Sequence, residues 1–313
     1  MPTVDLATPA NPPPTPPGTL EGLPRRLALT LLELRLLSER AGGAPLPFDV
    51  VERTDAGPLQ DRLGQSRQSA DDEAYAAALD TLHDPAEALA RRGLLTGDAG
   101  AIPDAGVVGA LGLLATPELA LDLDVVVDTV RGRAWHRQRA GAVASLSTVD
   151  GIVFELAWFG TDQWAAELAR MAVVPEDVEL GDSTVPDVVD LPYELLDAGA
   201  EALRSGRADL LSTVVAHHTG STVDGAGSPL DDAMVSAVVG ALVGETQGRL
   251  RALVADVGAG GSTVGVLSWV LLADGWRVLR PHQEQDAHRV EVRRVEPADL
   301  ASVLGPVLAE VTA

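Results

Sequence analysis

The stretch Val264-Gly-Val-Leu-Ser-Trp-Val-Leu-Leu-Ala-Asp-Gly-Trp-Arg-Val-Leu-Arg280 decides the fold class. Val264 to Leu272 is apolar enough to form a central, buried strand. Trp276 to Arg280 alternates apolar and charged residues, as a half-buried strand does. Only Asp274-Gly275 marks the change of direction between them, and a tight turn of that kind joins antiparallel neighbours. Parallel strands need a crossover of a dozen or more residues, so the short spacing disfavours a doubly wound sheet. The expected class is α+β, with antiparallel sheets and flanking helices.

Working outward, His288-Arg-Val-Glu-Val-Arg-Arg-Val295 alternates in the same way, which makes the polar residues between it and Arg280 a hairpin loop. That loop holds His282, Glu284, Asp286 and His288, all ligand types for a metal. A usable site needs such atoms held convergently, with other groups orienting each imidazole, and a solvated turn explains the pattern without that demand. On the other side, Leu250 to Val257 reads as another strand, and Gly258-Ala-Gly-Gly-Ser-Thr-Val-Gly265 as a flexible hairpin connection. The glycine run precedes a strand instead of opening a helix after one, and it matches neither dinucleotide nor P-loop spacing.

The same grammar appears earlier in the chain. Thr30-Leu-Leu-Glu33 has capping-box spacing and predicts a helix from Leu31 to Ala41, stopped by Gly42-Gly43. Pro45 to Val51 reads as extended, Asp71 to Arg92 as helix with a break near Asp84-Pro85, and Asp104 to Ala115 as a short helix. Leu119, Leu121, Leu123, Val125 and Val127 alternate with Asp122, Asp124 and Asp128, giving a strand with a solvated acidic face. Asp150-Gly151 signals a hairpin into Ile152, Phe154, Leu156 and Trp158, followed by a helix from Thr161 or Asp162 through Met171.

An acidic linker from Val174 to Asp190 separates this half from the next. Helices are then expected over Leu191–Leu203 and Arg207–His218, and a third opening at Ser228-Pro-Leu-Asp231, where Ser228 serves as a cap. His217-His218 fits the carbonyl end of its helix. Leu300, Val303, Leu304, Val307, Leu308 and Val311 form the packed stripe of a closing helix, which Gly305-Pro306 should kink. Each half thus reads as helices, an antiparallel meander and a final helix, which predicts a quasi-two-fold repeat.

Composition narrows function. The chain has 313 residues, 46% of them hydrophobic, with a formal net charge of −23. A nucleic-acid binder needs a dominant basic face, and this balance argues against one. All 23 basic residues are Arg, which removes the Walker-A lysine and Schiff-base chemistry together. Cysteine is absent, so there is no thiolate nucleophile or ligand. Residues 1–24 read as a Pro-rich disordered tail without signal-peptide features. The longest apolar runs fall short of the ~20 residues that span a bilayer, so no membrane insertion is expected. No catalytic residue, cofactor or metal site rises above its structural reading, and the partner-contact residues are unassigned.

Two stretches resemble a known family. They are Leu29-Thr-Leu-Leu-Glu-Leu-Arg-Leu-Leu-Ser-Glu-Arg-Ala-Gly-Gly-Ala-Pro-Leu-Pro-Phe48 and the end of the chain, from Gly248-Arg-Leu-Arg-Ala252 through Gly275-Trp-Arg-Val-Leu-Arg-Pro281 to Val295-Glu-Pro-Ala-Asp-Leu300. Both resemble the EspG family, cytosolic chaperones of actinobacterial type VII (ESX) secretion. The resemblance implies one EspG-like domain over residues 25–313, with halves of about 25–174 and 190–313. It also implies a cytoplasmic, non-enzymatic chaperone that binds the helical tip of a PE-PPE-type secretion substrate, keeps it soluble and targets it for export. The alternatives are a metal-dependent hydrolase using His282 to His288, or an acidic interaction module outside secretion.

Overall fold

Tight turns between strands build a single large sheet. The computed structural model describes residues 24–48, 75–97, 102–258 and 264–312. Most of the expected tail, residues 71–74 of the second predicted helix, residues 49–51 and the centre of the glycine run lie outside the described residues. The strands are β1 (Arg25–Thr30), β2 (Leu95–Thr96), β3 (Ile102–Pro103), β4 (Leu119–Val127), β5 (Val130–Arg139), β6 (Ala142–Thr148), β7 (Val153–Gly160), β8 (Val188–Pro192), β9 (Val223–Asp224), β10 (Gly248–Asp256), β11 (Val264–Leu272), β12 (Gly275–Glu284) and β13 (Ala287–Arg294). The helices are α1 (Leu31–Arg40), α2 (Pro85–Arg91), α3 (Ala105–Ala115), α4 (Trp164–Met171), α5 (Tyr193–Arg204), α6 (Leu211–His217), α7 (Asp232–Gly244) and α8 (Leu300–Val311).

Eleven strands form one sheet in the order β1-β7-β6-β5-β4-β10-β11-β12-β13-β8-β9, every pairing antiparallel. The α+β class with an antiparallel sheet is therefore as the sequence reads. Read outward from the β4–β10 seam, the order is β5, β6, β7, β1 on one side and β11, β12, β13, β8, β9 on the other.

Alternation along the strands divides the apolar residues between two faces. On one face, Leu121, Leu123 and Val125 of β4, Leu250, Ala252 and Val254 of β10, and Trp269 of β11 pack under α4 and α8. On the other face, α1, α2 and α3 cover Trp135, Leu146, Leu156 and Trp158 toward one end of the sheet. Helices α5, α6 and α7 cover Val189, Leu191, Val290 and Val292 toward the other end. Among the described residues no helix lies above the centre of this second face.

Local chemistry explains most boundaries. The Thr30 Oγ1 accepts from the Glu33 amide and the Glu33 carboxylate accepts from the Thr30 amide at 2.8 Å, closing the expected capping box. The break near Asp84-Pro85 is real: residues 75–80 are helical and Asp84 caps α2, accepting from the Glu87 amide at 2.9 Å. Gly275 turns β11 into β12 with φ of 124°.

Three expectations need correction. Leu191 and Pro192 belong to β8, not to the following helix, because a residue before proline is pushed to extended backbone. Asp231 caps α7, accepting from the Met234 amide at 2.7 Å, whereas the Ser228 amide donates to Asp224. The linker is pinned at its end: Val185 is buried, and Thr184 donates to Glu245. Pro306 lies inside helix α8, which spans Leu300–Val311.

Candidate docking groove

The predicted loop from Arg280 onward is mostly strand. Strands β12 and β13 extend to Glu284 and Ala287, and only Gln285 and Asp286 make the turn, at φ of 47° and 68°. His282 pairs with Arg289, and His288 with Gln283, so alternation places the two imidazoles on opposite faces of the hairpin. Glu284 meets Arg289 at 3.2 Å, and His282 Nε2 lies 2.6 Å from Asp190. The four candidate ligands do not converge. Among the described residues no three His, Cys, Asp or Glu side chains group as metal ligands. His217 bonds back to the Thr213 carbonyl at the end of α6, as a helix-terminal residue does. Gly258 lies just past β10, whereas Val264 and Gly265 already belong to β11, its antiparallel partner.

Three recesses stand out among the described residues. One, of about 400 Å³, lies beside Glu155, Glu167 and Arg170. Its charges are already consumed: Arg26 pairs with Glu155 at 3.1 Å and with Glu167, and Arg170 meets Glu167 at 3.1 Å. A second, of about 470 Å³, lies by Tyr193, His282 and Arg289, where Asp190 bonds both the imidazole and the guanidinium.

The third and largest, about 720 Å³, is the uncovered centre of the sheet, with Phe48 and Trp135 on one flank and Val270 on the other. Its floor is written by strand register. Across β11, β10, β4 and β5 the first row reads Val270, Arg249, Val126, Arg131. The next reads Ser268, Arg251, Asp124, Arg133, and the third Val266, Leu253, Asp122, Trp135. The face is cationic at one end and apolar at the other, where Leu253 and Val266 are exposed. Arg131 pairs with Asp124, with Nε at 3.1 Å, and Arg137 with Asp122 at 2.6 Å. Arg133, Arg249 and Arg251 are exposed and have no ion pair among the described residues.

The sequence reading treated Asp122, Asp124 and Asp128 as a solvated face. The first two do share the open face, but as partners of arginines, and Asp128 lies beyond β4 in the turn, at φ of 51°. The groove itself is missed by sequence because its arginines come from strands far apart in the chain. The local traces are the alternations Arg249-Leu-Arg251 and Arg131-Gly-Arg133, which stand in register with β4 between them.

These features define a class: an antiparallel sheet layered by helices at both ends of one face, with a shaped and partly charged opening between them. A likeness to a solved structure makes the class more particular. The chain is similar to the Mycobacterium tuberculosis type VII secretion system chaperone EspG5, solved in complex with a PE25-PPE41 dimer, with 13% identity and a TM-score of 0.57. The similarity covers 92% of this chain and 96% of that one. No family model and no curated protein matches the sequence. At that identity the likeness is one of fold. Among the described residues no helix is long and apolar enough to cross a membrane.

Proposed function

We propose that this protein is a cytosolic, non-catalytic chaperone of type VII secretion that receives the helical tip of a PE-PPE-type substrate in the central groove. The reading rests on one conjunction. Among the described residues the helical layers leave the middle of the sheet open, and the fold is shared almost end to end with a secretion chaperone that was solved holding a PE25-PPE41 dimer. An apolar helix end exposed before export is prone to aggregate, and a groove with exposed Leu253 and Val266 beside exposed guanidinium groups suits it.

The symmetric strand order supports two further parts of the proposal. Residues 25–313 act as one EspG-like domain, and its halves, about 25–174 and 190–313, are related by a quasi-two-fold axis through the β4–β10 seam.

The test is co-expression with each helical secretion substrate encoded near the gene. A stable one-peak complex on size exclusion, lost when Leu253 and Val266 are both changed to Asp, is the expected result. Failure to hold any such substrate in solution sinks the reading.

A further inference from the structure

The charge of the groove runs against that of the molecule. The chain carries a formal net charge of −23, yet four arginines line this one opening with only two aspartates among them. Both aspartates are already engaged, Asp124 by Arg131 and Asp122 by Arg137. Arg133, Arg249 and Arg251 are left exposed and unpaired among the described residues, while elsewhere on the surface many arginines have found carboxylates. Arg249 and Arg251 stand two residues apart on β10, so their side chains leave the sheet on the same side about 7 Å from each other. Like charges that close repel, and an anion between them relieves the repulsion.

We propose that the groove selects cargo by acidic side chains: the docking end of the partner helix presents carboxylates to Arg133, Arg249 and Arg251, next to apolar residues that cover Leu253 and Val266. This rests on the chaperone reading and adds what the groove recognises. Guanidinium and carboxylate match in a two-bond fork, which gives orientation as well as attraction. Arg25, Arg35, Arg40 and Arg91 are also exposed without an ion pair among the described residues, but they lie on β1, α1 and α2 outside this opening. The net negative charge of the molecule disfavours a carboxylate-bearing partner over much of the remaining surface, so the charge arrangement favours docking in the groove. A protein segment fits better than a nucleic acid, since the floor also holds two carboxylates and an apolar row, and a polyphosphate would meet the surrounding negative field.

The experiment uses the full chain and three fluorescein-labelled amphipathic helical peptides of about 20 residues, long enough to hold helix in water. They share an Ala/Leu face and carry Glu, Gln or Lys on the polar face. The Glu peptide is expected to bind about tenfold tighter than the Gln peptide in 50 mM salt, and to lose that advantage in 500 mM salt as screening shortens the range of the charges. The R249E/R251E variant should reverse the order and prefer the Lys peptide. R249Q/R251Q, which removes charge with little change of shape, should bind all three alike.

Equal binding of the three peptides to the unaltered protein overturns the inference. So does an unchanged preference in R249Q/R251Q, or displacement of the Glu peptide by a single-stranded oligonucleotide at matching concentration. A secretion substrate held equally well by the unaltered chain and by R133Q/R249Q/R251Q would remove charge selection and leave the chaperone reading standing. Glu-peptide selection without capture of any secretion substrate would do the opposite.

Discussion

His136 illustrates how much one side chain can commit. It points from β5 into the face covered by α4, is 2% exposed, and accepts from the Trp164 indole nitrogen through Nδ1 at 3.2 Å. Its Nε2 therefore carries the proton and has no hydrogen-bond partner. Burial, aided by the neighbouring Arg137 guanidinium, lowers its pKa to about 3. The unfolded chain takes up a proton near pH 6.5 that the folded chain refuses, so the stability from a neutral His136 is complete above pH 6.5. It is lost progressively as pH falls toward 3. The slope is about 1.4 kcal/mol per pH unit, or about 2 kcal/mol between pH 6.5 and 5. H136N keeps an acceptor for Trp164 and has no such proton. Urea unfolding at pH 7, 6, 5.5 and 5 should show the unaltered protein losing about 2 kcal/mol more than H136N. Parallel curves for the two would rule out this role for His136.

At the scale of elements, the approach of α8 to the sheet depends on a residue with no side chain. Gly265 of β11 faces α8, where a Cβ would overlap Val307 Cγ1 and sit 3.0 Å from Val311 Cγ2. G265A should therefore cost about 1–3 kcal/mol by overpacking. V307A should return part of that loss, and a thermal double-mutant cycle in which the two changes simply add would contradict the packing account. This contact was not legible in the sequence, where Gly265 closes a run that looks like loop. The turn signals were legible: Asp150-Gly151 and Asp274-Gly275 each join the strands expected of them, and Asp150 accepts from the Ile152 and Val153 amides at 2.8 and 2.9 Å. The strand β5 was not, because Arg131, Arg133, His136 and Arg137 break the apolar alternation; Arg131 and Arg137 find partners on β4 and His136 on α4, out of reach of a local pattern. The outer half of β12 was missed for a related reason. Pro281, His282, Gln283 and Glu284 are all exposed, so no apolar alternation marks them as strand, whereas β13 follows the expected alternation from His288 onward. The open groove belongs with these misses, since only the β4–β10 pairing brings its arginines together.

For the whole molecule, that same pairing decides whether the halves are separable. β4 and β10 run side by side over the full length of both strands, from Leu119 with Asp256 to Val127 with Gly248. The core beneath draws Leu121, Leu123 and Trp164 from one half and Leu250, Trp269 and Leu304 from the other. Neither half owns that core, and each alone would expose a bare central strand edge together with half of its apolar cover. The chain should consequently unfold in one transition, with calorimetric and van't Hoff enthalpies that agree. The slowest-exchanging amides should lie in β4 and β10. The seam is also sterically exact at Gly248, where a Cβ would come within 2.5 Å of the Val126 carbonyl oxygen, a backbone atom that cannot rotate away. G248A is thus expected to lower the midpoint of the whole transition, with both halves following together. If G248A instead split the melt in two, or if residues 25–174 expressed alone gave a sharp transition of their own, the shared core would not be what binds the halves into one unit.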